Sequence, residues 1–413
     1  MRKHRFIPYR RQDVIELCIN QGGLESQSHQ SFSQLCHILE SLIHFEFHAT
    51  LETLKNTYAP FDPNADTLVT RKPDKEEQIK LQQQFADVFK TVLNAANYEQ
   101  VTDQDLEDAL HEESLFKVNL AVEFDDFEQV VFYHRGEHHK QSTIKSWGGL
   151  KKETLNYTNY DRIAVFIKFK DAEYFASKDR KDLNFTPGST IIKLFQDVPK
   201  ADLEMLFPNS EVCMRKIDKL IIGTSAVVGG AFLLVTKLAT SILLIGALIA
   251  YWMGFRVEDV IITSNQVLAL GAGLGVFGAF IYKEWNKFKN RKIAFMKALA
   301  DSLYFKNLDN NAGVFHHLID TAEEEEFKEA ILGYYFLLIN PQPLSESELD
   351  NAIEQWFSKT HNVELDFEVD DALQKLLRMG LVLEVDGKYQ ALSLDKAKEG
   401  LDKHWDGLFD YNQ

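Results

Sequence analysis

The chain has 413 residues, 62 of them acidic against 45 basic, for a formal net charge of -17. That length is enough for two or three domains, and that acidity excludes a broad surface for phosphate backbones. Three cysteines, Cys18, Cys36 and Cys213, are too few and too scattered for a disulfide framework or a zinc pattern, so reduced thiols are expected.

The first twenty residues are basic but lack an apolar core of signal-peptide length, and Asp13 and Glu16 argue against a transit peptide. Helix is expected over Gln12–Asn20, stopped by Gly22-Gly23. A second helix is expected over Ser31–Tyr58, where Leu35, Ile38, Leu39, Leu42, Phe45 and Leu54 recur at helical spacing. Pro60, Pro63 and Pro73 mark a loop before a third, Asp74–Asn97, with Phe85, Val88, Phe89 and Val92 on one side. Thr102 is placed to cap a helix over Asp103–Glu113.

From 115 to 195 the apolar period becomes two. Phe116, Val118, Leu120, Val122 and Phe124 alternate with polar residues. Val130–Tyr133 follows an acidic turn at Asp125-Asp126, which suggests a hairpin; Ile163–Phe169 and Thr190–Phe195 read as two more strands. An antiparallel sheet against the preceding helices gives an α+β domain. Asp197-Val-Pro199 is expected to start a short helix that Pro208 ends.

Between Lys219 and Arg256 lie 36 residues whose only charge is Lys237, and Val260–Tyr282 is a charge-free run of 23. A spanning helix needs roughly 20 apolar residues. Basic residues flank the tract at Arg215, Lys216 and Lys219 and again from Lys283 to Lys292, which favours an even number of spans with both flanks cytoplasmic. The expectation is two transmembrane helices, about 232–254 and 264–282, with Leu220–Ala231 in the interface or in protein and the lipid bilayer as a partner. Three spans is the alternative. Gly273, Gly275 and Gly278 match G-x-G-x-x-G, but inside an uncharged run this reads as helix packing, as does G-x-x-x-G at Gly271 and Gly275, so no cofactor is expected.

Beyond the tract, Lys283–Tyr304 continues as helix and the acidic Glu323–Glu326 leads into Phe327–Ile339. Two helices, Ser347–Lys359 and Val369–Met379, precede Leu381–Val385 and Lys388–Leu392 joined by Asp386-Gly387, a hairpin signal. This order suggests a winged-helix-like module, closed by a helix over Asp395–Phe409. The expected domains are thus a cytoplasmic α+β domain at 1–216 (helices 1–113, sheet 115–195), a membrane segment at 217–282, juxtamembrane helices at 283–340 and the winged-helix-like domain at 341–413. That last domain carries 16 acids against 7 bases, 7 - 16 = -9. Its second helix offers only Lys375 and Arg378 against Asp370 and Asp371. Protein binding or self-association is therefore expected, and no nucleic acid.

Several segments resemble the uncharacterised family grouped with transmembrane protein 143: Phe6–Arg10, Phe132–Gly136, Lys193–Pro208, Leu308–Asn311 and Ala322–Ala330. The motif positions include Asp197, Pro199, Asp202, Pro208, Asn310 and Asn311. The resemblance implies a membrane protein of undetermined activity, mitochondrial in animals and in the bacterial inner membrane otherwise. It supplies no catalytic residues. The lack of an obvious mitochondrial leader favours the bacterial setting.

Two imidazole–acid groups are candidate metal ligands. His37, Glu40, His44 and His48 share one side of the second helix, and His316, His317 and Asp320 stand beside Glu323–Glu326. A solvated charged face explains both as well. His134-Arg135-Gly136-Glu137-His138-His139 reads as a hairpin loop that an anion could reach, and Arg10-Arg11 as a surface pair or a lipid-headgroup contact. No nucleophile elbow, phosphate loop or paired-cysteine motif occurs. The reading is a membrane-anchored, non-enzymatic interaction or scaffold protein. A metal-dependent membrane enzyme using the histidine groups is the first alternative, and a subunit of an oligomeric transporter or channel the second.

Overall fold

The structure is a computed structural model that describes residues 4–67, 70–102, 104–106, 119–146, 151–178, 183–213, 243, 246, 249–255 and 263–409. It divides into two units, one comprising Met1–His111, Phe124–Leu203 and Lys306–Gln413, the other Glu112–Glu123 and Glu204–Phe305.

In the first unit, the N-terminal helices are α1 (Arg11–Asn20), α2 (His29–Tyr58) and α3 (Lys75–Ala95). The α3 start is fixed by Asp74, whose side chain accepts the Glu77 amide. An antiparallel sheet follows, in the order β1-β3-β4-β5-β7, from β1 (Glu99–Gln100), β3 (Phe127–Ser146), β4 (Lys151–Phe169), β5 (Thr190–Pro199) and β7 (Asn307–Asn310). The short helix α4 (Ala172–Ser177) lies between β4 and β5, and β2 (Asn119–Ala121) precedes β3. Successive strand side chains point to opposite faces, so the unbroken buried run Ile163–Ile167 of β4 puts apolar residues on both faces of the sheet. One core joins Leu54 and Tyr58 of α2, Phe85, Phe89 and Val92 of α3, and sheet residues Tyr133, Ala164, Phe166, Ile192 and Leu194. Phe315 and Leu318 complete it from α6 (Ala312–Ile339). The Tyr58 hydroxyl, buried in this layer, donates to the Thr190 carbonyl at 2.7 Å.

The second core is helical. The C-terminal half of α6 is buried without a break from Phe327 to Leu337, and from Ala330 onward the helix is apolar on every side, as such burial requires. Around it pack α1, α2, α7 (Glu346–Trp356), α8 (Val369–Arg378), α9 (Leu394–Gly407) and the hairpin of β8 (Val382–Val385) and β9 (Lys388–Ala391). At 28 residues α6 is about 42 Å long, so one helix belongs to both cores.

In the second unit, β2 pairs antiparallel with β6 (Glu211–Cys213). Its long helix, α5, spans Ser264–Lys306 and ends in the first unit.

The expectation of a two-span membrane protein is overturned. Among the described residues no helix is long and apolar enough to cross a membrane. The tract expected as the second span, 264–282, is the opening part of α5, a single helix of 43 residues. The charge-free run opens with Ser264, Asn265 and Gln266 and carries glycines at 271, 273, 275 and 278. The helix also runs on through Lys283, Glu284 and Lys287 with no boundary at 282. A Cβ on Gly271, Gly275 or Gly278 meets nothing within 4 Å among the described residues. Leu220–Ala231 and most of 232–254 lie outside the described residues.

Three local expectations change as well. The hairpin expected between 116–124 and 130–133 does not form, because β2 pairs with β6 and β3 with β4; residues 107–118 lie outside the described ones. The presumed loop at His134–His139 is the middle of β3, paired with β4 from His134↔Ile163 to His139↔Thr158. Residues Asp197–Pro199 end strand β5 instead of starting a helix, and a 3-10 segment, Lys200–Leu206, follows.

Asn311 fixes the entry into α6. Its φ is +52°, its side-chain oxygen accepts the Ile192 amide at 3.1 Å, and its own amide donates to the Ile192 carbonyl at 2.6 Å. Asn311→Ala therefore loses a buried hydrogen bond and keeps a backbone conformation that alanine disfavours. It is expected to lower the urea midpoint by an amount worth about 2 kcal/mol, with Asn311→Gly losing less.

Candidate functional site

Glu323–Glu326 do not lead into a helix. They sit in the middle of α6, where the two cores meet. Successive residues on a helix turn by about 100°, so four adjacent carboxylates must face different neighbours. Glu323 accepts from His44 Nδ1 of α2 at 3.0 Å. Glu324 accepts the Arg11 amide at the start of α1 at 3.1 Å. Glu326 pairs with Lys375 of α8. Glu325, 1% exposed, takes three donors: the Ile7 amide at 3.1 Å, Arg135 of β3 at 2.6 Å and Lys328 at 2.8 Å.

Lys328, itself buried, donates back to the Ile7 and Tyr9 carbonyls at 2.8 and 3.1 Å. Residues 4–10 are thus a strap bound to α6. Its backbone also exchanges hydrogen bonds with 364–366, His4 N to Glu364 O and Asp366 N to His4 O, both at 2.8 Å. Asn97 Nδ2 donates to the Arg5 carbonyl and to Glu329, each at 2.9 Å. Pro8 has no amide to satisfy. A single network therefore joins strap, sheet, α6 and the C-terminal helices, with its charges hydrogen-bonded as burial demands.

Glu329 is the exception to balanced charge. Burial pushes its carboxyl up to about 8, against the opposing pull of Lys375, 3.8 Å away, and of Asn97, while Glu325 and Glu326 push the same way as burial.

A second group lies beside the strap. His138 Nε2 is 2.8 Å from Asp161 Oδ2, and the His4 ring is 5.4 Å from His138. Burial and His138 lower the His4 pKa against Asp161. Gly136 has φ +71°, and a Cβ there would strike the Asp161 carboxylate. The Arg135 guanidinium lies 4.2 Å over Phe6. His134, expected in the anion-accessible loop, is buried and stacks on Tyr160 at 4.4 Å.

Four of the motif residues, Asp197, Pro199, Asn310 and Asn311, lie on or next to the paired strands β5 and β7. Asp197, at φ +53°, accepts from Lys140 at 2.5 Å and from Asn159 at 3.0 Å, and Lys306 donates to its carbonyl. The Lys140 bond is the largest influence holding the Asp197 carboxyl below its usual range. Pro199 closes β5 opposite Asn159, and Asp202 is buried at the kink of the 3-10 segment. Pro208 belongs to the other unit. Asn310 pairs with Lys193, next to Asn311.

The metal candidates are not assembled. His37 and Asp320 are exposed, and His44 is taken by Glu323. His48 and His316, from α2 and α6, come within electrostatic reach of Glu52. Among the described residues no group of three or more His, Cys, Asp or Glu side chains is placed to hold a metal ion. Arg11, expected at a surface or headgroup, pairs with Glu40 at 2.6 Å. The residues that carry the network, Asn97, Arg135, Glu325, Lys328, Glu329 and Lys375, were missed as a set. Their signal was there: Lys328 and Glu329 interrupt the apolar run from Phe327 to Leu337, and Lys375 sits between Leu373 and Leu376 on the apolar face of α8.

Fold and site together define an α+β protein in which the buried Glu325, Lys328, Glu329 and Lys375 tie separate elements together. Residues 160–313 are similar to the family model described as "Protein of unknown function (DUF3754)". That segment runs from the paired part of β4 through β5 and β7 to the first residues of α6, and it contains the Asp197 and Asn311 motif positions. No solved structure matches the chain.

Two outcomes follow from the network. Glu325→Ala strands Lys328 and frees the strap, and is expected to cost about 3–5 kcal/mol in urea unfolding. Glu329 has its folded pKa raised to about 8 from an unfolded value near 4.5. Its contribution to stability is therefore full below the unfolded value and lost as pH rises through the folded one. Across pH 5–9 wild type should lose stability relative to Glu329→Gln, with a slope of up to about 1.4 kcal/mol per pH unit. Parallel stability profiles would refute this assignment.

Proposed function

We propose that the chain is a non-enzymatic interaction protein whose C-terminal module, residues 341–413, meets a protein partner or a second copy. The observation that carries this reading is the docking of α8, the helix a winged-helix-like nucleic-acid reader would present. Its apolar side, Ala372, Leu373 and Leu376, is buried against the helical core. Both its cations are committed within the chain, Lys375 to Glu326 and Arg378 to Glu46 at 2.8 Å. What remains outward is acidic, Asp370 and Asp371 included. A surface of that kind repels phosphate and suits basic protein surfaces.

The absence of an assembled metal-ligand group among the described residues weighs against the metal-enzyme reading. The approach of His48 and His316 to Glu52 is its remaining support. The finer likeness, to the family grouped with transmembrane protein 143, rests on the segments Lys193–Pro208 and Leu308–Asn311, both of which fall inside the matched residues. It adds no activity.

Cross-linking with mass spectrometry on the purified full-length chain, alone and after recovery from its host, tests the reading. Cross-links to a partner or a second copy should concentrate on 341–413, and the protein should retain well under one equivalent of zinc, manganese or iron after dialysis. Stoichiometric metal with hydrolytic turnover, lost on replacing His48 and His316, would overturn it in favour of an enzyme.

A further inference from the structure

We infer that the outer edge of β8 takes an extended basic segment of a protein partner by strand addition, an inference that rests on the interaction reading above. The hairpin turns through Asp386 and Gly387, with φ +54° and +72°, the geometry of a two-residue type I′ turn. In such a hairpin Val385 and Lys388 exchange hydrogen bonds, and so do Leu383 and Gln390 two residues on. The amide and carbonyl of Glu384 therefore point away from β9. The other edge of β9 is already used: Leu344 and Tyr389 exchange both backbone hydrogen bonds, at 3.0 and 2.7 Å. Among the described residues no strand pairs with the outer edge of β8.

Sheet edges left open are usually blunted by lysine, proline or a bulge. This one carries Leu383 and Val385, 56% and 64% exposed, on one face. The charge around it is one-sided. Glu384 and Asp386 lie on the hairpin, and the module that carries it, residues 341–413, has 16 acids against 7 bases. Lys388, the base of the hairpin, is on β9 and lies 3.6 Å from Glu348, on the side away from this edge. An incoming strand would meet open backbone groups, two apolar side chains and an excess of carboxylate. Lysine or arginine alternating with aliphatic residues matches all three.

The probe is a fluorescent peptide of about eight residues alternating lysine and valine, titrated against the full chain by anisotropy. Two variants at one position separate charge from backbone. Glu384→Gln removes the carboxylate and keeps the outward amide; Glu384→Pro also removes that amide and leaves the β8–β9 bonds in place. Wild type should bind, Glu384→Gln should bind about two- to threefold more weakly, and Glu384→Pro at least about tenfold more weakly. The same peptide with alternate amides N-methylated should lose a similar factor against wild type, which keeps the test decisive if Glu384→Pro does not fold. Equal binding by Glu384→Pro and Glu384→Gln, or by the two peptides, would overturn strand addition, as would no binding to wild type. None of these outcomes touches the metal and cross-linking results, so this inference can fail while the interaction reading stands.

Discussion

A carboxylate buried in the middle of a long apolar helix must be matched by donors or be lost to protonation. Glu325 meets that constraint with three donors from three parts of the chain: the strap amide of Ile7, Arg135 of the sheet and Lys328 of its own helix. The register of α6 against everything around it depends on this match. Above Glu325 the helix covers the sheet through Phe315 and Leu318; below it the helix is the axis of a second core through Phe327, Ile331 and Tyr335. The polar layer marks the boundary between two apolar cores and allows one relative placement of them. Hydrophobic burial alone, being non-directional, would not choose that placement.

The C-terminal module inherits its position from the same layer. Lys375 reaches down to Glu326 and Glu329, while Gly333 of α6 lets the helices approach, its missing Cβ lying 3.3 Å from Leu376. With α8 held in this way, the hairpin is the part of the module that turns outward, as the exposure of Leu383 and Val385 shows. The acids that stood beside His316 and Asp320 in sequence are spread around the helix to separate partners, and the histidines are left exposed or singly paired.

Much of the local structure could be read from the residues. The three N-terminal helices, the strands at 163–169 and 190–195, and the hairpin at Asp386-Gly387 follow from period and turn chemistry. Long-range pairing could not. Nothing in Asn307–Asn310 announces a strand that returns to the far side of β5, and alternation at 116–124 does not say that its partner lies at 211–213. The acid run was misplaced because composition reads Glu-Glu-Glu-Glu as solvent-facing; only tertiary donors make it a buried layer. The apolar tract was divided into two spans by its charges, whereas the helix that begins at Ser264 runs on to Lys306 across the basic residues expected to end it.

The central claim is that Glu325 binds the N-terminal strap to α6 as part of one cooperative core. Native-state hydrogen exchange at the Ile7 amide measures this directly. The account predicts that this amide is protected to nearly the same free energy as the interior of α6, and that in Glu325→Ala the strap and the 364–366 segment open together. An Ile7 amide that exchanges as fast as an exposed terminus in the wild type, while α6 stays protected, would contradict it.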